Sequence, residues 1–109
     1  ANAARCKFSG VPEAGQLPTA ADFTKEFTKK FNTAPGVWGV FTYDSTKLLA
    51  DALTQVGNTN YKPVLAKLKT TKNYKGQTGL ITINKKTGNR TNVPVFILTV
   101  NQSGTFTIA

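Results

Sequence analysis

From Thr42 onward, apolar residues recur at Leu48, Leu49, Ala52, Leu53 and Val56, the i, i+1, i+4, i+5, i+8 stripe of a one-faced helix. Gly57 ends it, since a residue without Cβ takes the left-handed conformation that ties off the last carbonyls, and Asn58-Thr59-Asn60 is turn chemistry. Asp44, Lys47 and Asp51 mark what reads as the opposite, solvent-facing side of this helix. Upstream, Phe23, Phe27 and Phe31 recur at i, i+4, i+8, with Thr19 as a cap, Asp22 in the first turn, and Lys29 and Lys30 at the C-terminal end, where cations suit the helix dipole. A third, shorter helix is predicted from Asn60 to Lys69, with Pro63 in the first turn, where its missing N–H is harmless. These patterns predict that Phe23, Phe27, Phe31, Leu49 and Leu53 are buried together.

Around these helices the period is that of strands. Lys7 to Val11 is a short apolar run ended by Pro12. Leu80 to Ile83 is β-branched, Asn84 to Asn89 is a turn with Gly88 able to take positive φ, and Val93 to Val100 reads as a long strand; together they predict a hairpin. Asn101 to Gly104 turns the chain into a final strand over Thr105 to Ile108. Both alternating faces of Val95 to Val100 are apolar, so this strand expects cover on both sides, which three helices and a hairpin can hardly supply. The expectation is therefore an incomplete α/β domain over residues 1–109, whose apolar strand has open flanks and associates with another chain.

Composition narrows the function classes. At 109 residues with 39% hydrophobic content, one domain is the upper bound, and no apolar run approaches the ~20 residues that span a bilayer. No basic, apolar, small-residue sequence opens the chain as a signal peptide would. The single cysteine, Cys6, leaves no internal disulfide and no cysteine-based zinc site, and reads as a small apolar strand residue. The absence of histidine removes the commonest general base and metal ligand, so no enzyme, no metal and no cofactor are expected. The net charge is +9, and all five acids lie at or before Asp51. That imbalance raises an alternative, a small basic module binding nucleic acid or another acidic partner. Against it, the lysines are spread singly or as the Lys85-Lys86 pair, without clustered arginine or interleaved exposed aromatics, so the main reading has no nucleic-acid partner.

Three motifs in order carry more than composition: Ala21-Asp22-Phe23 with Phe27 and Phe31; Tyr43-Asp44-Ser45 with Leu48-Leu49, Ala52-Leu53 and Gly57; and Tyr74-Lys75-Gly76-Gln77-Thr78-Gly79-Leu80-Ile81-Thr82-Ile83-Asn84 with Gly88-Asn89-Arg90. In this order they resemble the C-terminal third of the type I periplasmic binding proteins, the branched-chain amino acid receptors of ABC transporters. The resemblance covers nearly all of the chain after about Thr19. Ser45 stands where the family usually has Ala and Asn84 where it has Asp, departures that bear on subfamily and ligand rather than on fold.

The resemblance implies a partial lobe of a two-lobed α/β fold that closes on a small ligand, an amino acid or an aromatic or aliphatic carboxylate. The implied partners are the N-terminal portion of the receptor and the membrane permease of an ABC transporter; the implied location is periplasmic or extracellular. It also offers candidate ligand-binding residues. Trp38, between Gly36 and Gly39, lies where these receptors bring an apolar or aromatic side chain to the cleft, and Tyr43 and Asp44 would line the same rim. A second reading of Trp38, a core residue packing on the Phe23 stripe, stands beside the first.

Overall fold

The computed structural model describes residues 3–109, except the side chain of Ala4. Its elements are β1 (Phe8–Gly10), α1 (Ala21–Phe31), α2 (Gly39–Val56), α3 (Tyr61–Leu68), β2 (Tyr74–Gly76), β3 (Gly79–Ile83), β4 (Arg90–Thr91), β5 (Phe96–Val100) and β6 (Phe106–Ile108), with short 3-10 turns before and after β1. The chain forms two compact units: residues 1–40 with 94–109, and residues 41–93. It crosses from one to the other twice, after Val40 near the start of α2 and after Val93.

The first unit is built on a three-stranded antiparallel sheet of order β1-β5-β6. Phe8 lies opposite Leu98 and Gly10 opposite Phe96; on the other side of β5, Leu98 lies opposite Ile108 and Val100 opposite Phe106. Side chains alternate along a strand, so these residues share one face. Leu98 is buried there and Phe8 meets Phe106 edge to face at 5.4 Å between ring centroids. Pro12, Ala14, Leu17, Ala20, Pro35 and Val40 are also buried in this unit. The turn into β6 is held by Asn101, whose Oδ1 accepts from the backbone N–H of Ser103 and of Thr105, with Gly104 at φ 82°.

α1 carries the expected phenylalanine stripe, but the rings stack along the helix rather than into a core. Phe23 and Phe27 lie 5.7 Å apart and Phe27 and Phe31 4.6 Å apart, none of the three is buried, and Phe31 is 54% exposed. Leu49 of α2 is 44% exposed and Leu53 half-buried, so the predicted burial of these five side chains together is not what the chain adopts. The N-cap position of α1 is Ala20 rather than Thr19 and makes no side-chain cap bond, because the helix follows directly on a 3-10 turn over Pro18–Ala20. Its end is closed by Asn32 at φ 52°, whose N–H donates to the Thr28 carbonyl.

The second unit packs α2 and α3 with a sheet of order β2-β3-β4. α2 starts at Gly39, a turn earlier than its apolar stripe, and ends as expected with Gly57 at φ 74° donating to the Leu53 carbonyl. Ala52, Val64 and Ile81 are its buried apolar residues. The N–H of Ile83 donates to the Thr71 carbonyl, which ties the exit of α3 to β3.

Two strand expectations are corrected. The run 93–100 becomes a strand only at Phe96, because Asn92 sits at φ 53° and Pro94 has no N–H to donate; β3 pairs instead with Arg90–Thr91. β5 therefore does not form a hairpin with β3, and its flanks are not open: β1 covers one edge and β6 the other. Val95, just outside the strand, and Ile97 on its second face remain exposed. Cys6 precedes β1 and is exposed, outside any strand.

Candidate functional site

The densest polar constellation of the second unit grows from Asp44. The helix stripe placed this residue on the solvent side of α2, yet it is only 3% exposed. Its Oδ1 accepts the backbone N–H of Gln77 at 2.8 Å; its Oδ2 accepts the N–H of Thr78 at 2.8 Å and the Thr78 hydroxyl at 2.6 Å. A buried carboxylate is tolerated only when its lone pairs are taken up, and here the two-residue turn between β2 and β3 takes up three of them. The turn closes through Gly79 at φ 91°. Gly76 permits the approach: a Cβ there would lie 2.5 Å from Asp44 Oδ2 and 2.9 Å from Ile81 Cδ1.

Arg90 clamps the same turn from β4. Its Nη1 donates to Thr78 Oγ1 at 2.9 Å and its Nη2 to the carbonyls of Thr78 at 3.0 Å and Leu80 at 3.1 Å, while its Nε is buried without a partner. Burial lowers the guanidinium pKa and the charge of Asp44 opposes that shift. Thr78 Oγ1 thus donates to the carboxylate and accepts from the guanidinium, which makes it the relay between the two charges. The sequence motif Gly88-Asn89-Arg90 includes this arginine without giving it a role at the site. The signal that marks it is its type, a lone arginine in a second half otherwise basic through lysine.

The aromatic candidates are placed differently. Trp38 lies in the turn leading into α2, closed by the Gly39 N–H donating to the Gly36 carbonyl at 2.8 Å. Its residue is 67% exposed, so it is no core tryptophan of this chain; the neighbouring Val40 fills the interior instead. A Cβ at Gly36 would meet no atom within 4 Å, so the backbone beside the indole is open. Tyr43, on α2, is 40% exposed. Trp38 belongs to the first unit and Tyr43 and Asp44 to the second.

Each unit also has a concavity of its own. In the second, a hollow of about 180 Å³ is lined by Asp51, Gln55, Lys67, Thr71, Lys72 and Tyr74 among others, and across it the Tyr74 hydroxyl donates to Asp51 Oδ2 at 2.8 Å. Burial, and then the hydrogen bond and charge of Asp51, push the Tyr74 phenol up to about 12. In the first, an open groove of about 650 Å³ runs beside α1, lined by Gly15, Thr24, Lys25, Thr28, Lys29 and Asn32. Among the described residues no group of three or more His, Cys, Asp or Glu is placed to hold a metal ion, and no helix is long and apolar enough to cross a membrane.

Comparison with known proteins gives a consistent answer. The chain is similar in structure to a leucine binding protein from Thermotoga maritima (21% identity, TM-score 0.77, 94% of this chain and 29% of that one). It is likewise similar to an ABC transporter substrate-binding protein from Desulfitobacterium hafniense solved in complex with Leu (20% identity, TM-score 0.75, 94% and 30%). A third is a solute-binding protein of an ABC transporter from Rhodopseudomonas palustris solved with 3,4-dihydroxybenzoic acid (22% identity, TM-score 0.73, 92% and 28%). The chain therefore spans about 30% of the length of these structures and has the fold of that part of them. Comparison with curated protein sequences gives no match. The family model for periplasmic binding proteins matches residues 8–105, nearly the whole chain, and the chain belongs to the periplasmic binding protein family.

Proposed function

We propose that this chain is part of the solute-binding receptor of an ABC transporter, working in the periplasm or outside the cell. Its ligand is an amino acid or a related small carboxylate, held by closure of two lobes, and its partners are the remainder of the receptor and a membrane permease. The observation that carries this reading is the family match over residues 8–105, joined to a fold shared with receptors crystallised with Leu and with an aromatic acid.

Within this reading, Trp38 supplies the aromatic wall for the apolar part of the ligand. An indole exposed on an open turn has the area to anchor an apolar side chain. Tyr43 adds a second ring. For Asp44, which the sequence placed on the same rim, the reading changes: with three donors already on its carboxylate, it holds the 76–79 turn in place rather than offering that carboxylate to a ligand.

The experiment joins this chain to the rest of its receptor and measures binding by calorimetry against the branched-chain amino acids and hydroxybenzoates. Trp38→Ala is expected to weaken the tightest ligand by about 30-fold, as loss of an aromatic anchor does. The unliganded melting temperature should stay within about 2 °C, as expected for an exposed side chain. Unchanged affinity with a badly destabilised apoprotein would overturn the role of Trp38; no binding of any small carboxylate by the intact receptor would overturn the function.

A further inference from the structure

The charge of the chain is not shared evenly between its two units. Residues 41–93 hold eight lysines and Arg90 against Asp44 and Asp51, a net +7, whereas the other unit accounts for the remaining +2. Both acids of the second unit are engaged inside it: Asp44 is buried under the 76–79 turn, and Asp51 accepts from Tyr74 in a hollow. Its arginine is also turned inward, onto Thr78 and Leu80. What the unit shows to solvent is therefore lysine: Lys47, Lys62, Lys67, Lys72, Lys75, Lys85 and Lys86 are exposed, and Lys69 is half-buried.

From this partition we infer that the second unit docks on an anionic lipid surface, and that this contact is additional to any solute binding. The residue types decide between partners. Shape-specific readout of a nucleic acid or a phosphopeptide favours bidentate guanidinium forks, and the one fork of this unit is used internally. Flexible ammonium groups without fixed geometry instead match a diffuse sheet of negative headgroups, where each contributes additively. Two amphipathic positions fit the same surface. Tyr61, 75% exposed, stands beside Lys62 at the start of α3, and exposed Leu80 lies opposite Lys75 in the β2–β3 register, so both share the outer face of that sheet.

The test is co-sedimentation of the chain, joined to the rest of its receptor, with vesicles of phosphatidylcholine alone or mixed with phosphatidylglycerol, at rising salt. Pelleting is expected only with the mixed vesicles and should fade as salt shortens the reach of the charges. Lys62→Gln/Lys67→Gln and Lys85→Gln/Lys86→Gln should each weaken partitioning by about tenfold, while the first-unit pair Lys29→Gln/Lys30→Gln should change it by less than about twofold. Circular dichroism checks that each variant is folded. Equal losses from all three pairs would reduce the effect to net charge and overturn the assignment to this unit. Binding to neutral vesicles, no binding to anionic ones, or retention only on duplex DNA or polyglutamate would overturn the lipid partner. None of these outcomes bears on solute binding, which the receptor experiment decides separately.

Discussion

Substituting Gly76 by alanine tests the polar constellation at its tightest point. The added methyl group would stand 2.5 Å from Asp44 Oδ2, 2.8 Å from its Cγ and 2.9 Å from Ile81 Cδ1. Neither neighbour yields easily: Ile81 is buried, and the carboxylate is held by two backbone N–H groups and a hydroxyl. Relief requires a shift of roughly 0.5–1 Å, enough to lengthen the two bonds on Oδ2, and hydrogen bonds to a charged group are each worth about 1.5–3 kcal/mol. Overpacking alone accounts for about 1–3 kcal/mol. The expected loss is thus about 2–4 kcal/mol, a large share of the 5–15 kcal/mol that typically holds a domain together.

Urea unfolding followed by circular dichroism at the helix band reads this as a lower midpoint with little change of slope. The cycle with Asp44→Ala makes the argument specific. Removing the carboxylate should itself cost about 3–5 kcal/mol by stranding its partners, but Gly76→Ala should then cost about 1–2 kcal/mol less than in the native background. A loss below about 0.5 kcal/mol for Gly76→Ala, or strict additivity in the double variant, would refute the claim that the backbone and the carboxylate compete for one space.

Other expectations concern separate parts of the chain. The Tyr74 phenol is raised from 10.0 to about 12, so the folded state holds its proton more tightly than the unfolded one. Its contribution is complete below pH 10 and fades as pH rises through 12; after discounting two pK units for solvent screening this is about 1 kcal/mol, and a Tyr74→Phe variant should lack that alkaline slope in its stability profile. Leu98→Ala, in the buried centre of β5, should cost about 2–5 kcal/mol in urea unfolding, since it leaves a cavity under Phe8 and Ile108. Phe27→Ala should cost only about 1–2 kcal/mol, because its ring is half-buried between Phe23 and Phe31; a loss of 3–5 kcal/mol would restore the core position that the helical stripe suggested.

How far the sequence discloses such features depends on whether their causes are local. The three helices were legible because a stripe of 3.6 period, a terminal glycine and a first-turn proline act within a few residues of where they are read. The partner of β5 was not, because pairing with β1 is settled by the distant Phe8 face rather than by the nearby turn, and because Asn92 and Pro94 interrupt the run that seemed continuous. Asp44 misled for a related reason. On a helical wheel a carboxylate reads as solvent-facing, and only the arrival of three donors from residues 77–78 makes its burial tolerable. Of the candidate residues, the exposed indole of Trp38 was hinted at by its flanking glycines, while the relay from Asp44 through Thr78 to Arg90 left no trace in spacing.

The nested arrangement of the two units also orders how the chain assembles. Residues 41–93 are contiguous, and their sheet pairs Tyr74 with Ile81 across a tight turn, so this unit can organise from contacts within its own segment. The other unit must bring together the segments on either side of that insert: β1 pairs with β5, and the Gln16 side-chain amide donates to the Phe106 carbonyl 90 residues away. Closing so long a loop of free chain is entropically expensive, and that expense falls when the intervening segment has already condensed into a folded insert. During synthesis β1 therefore lacks its β5 partner until Phe96 to Val100 emerge.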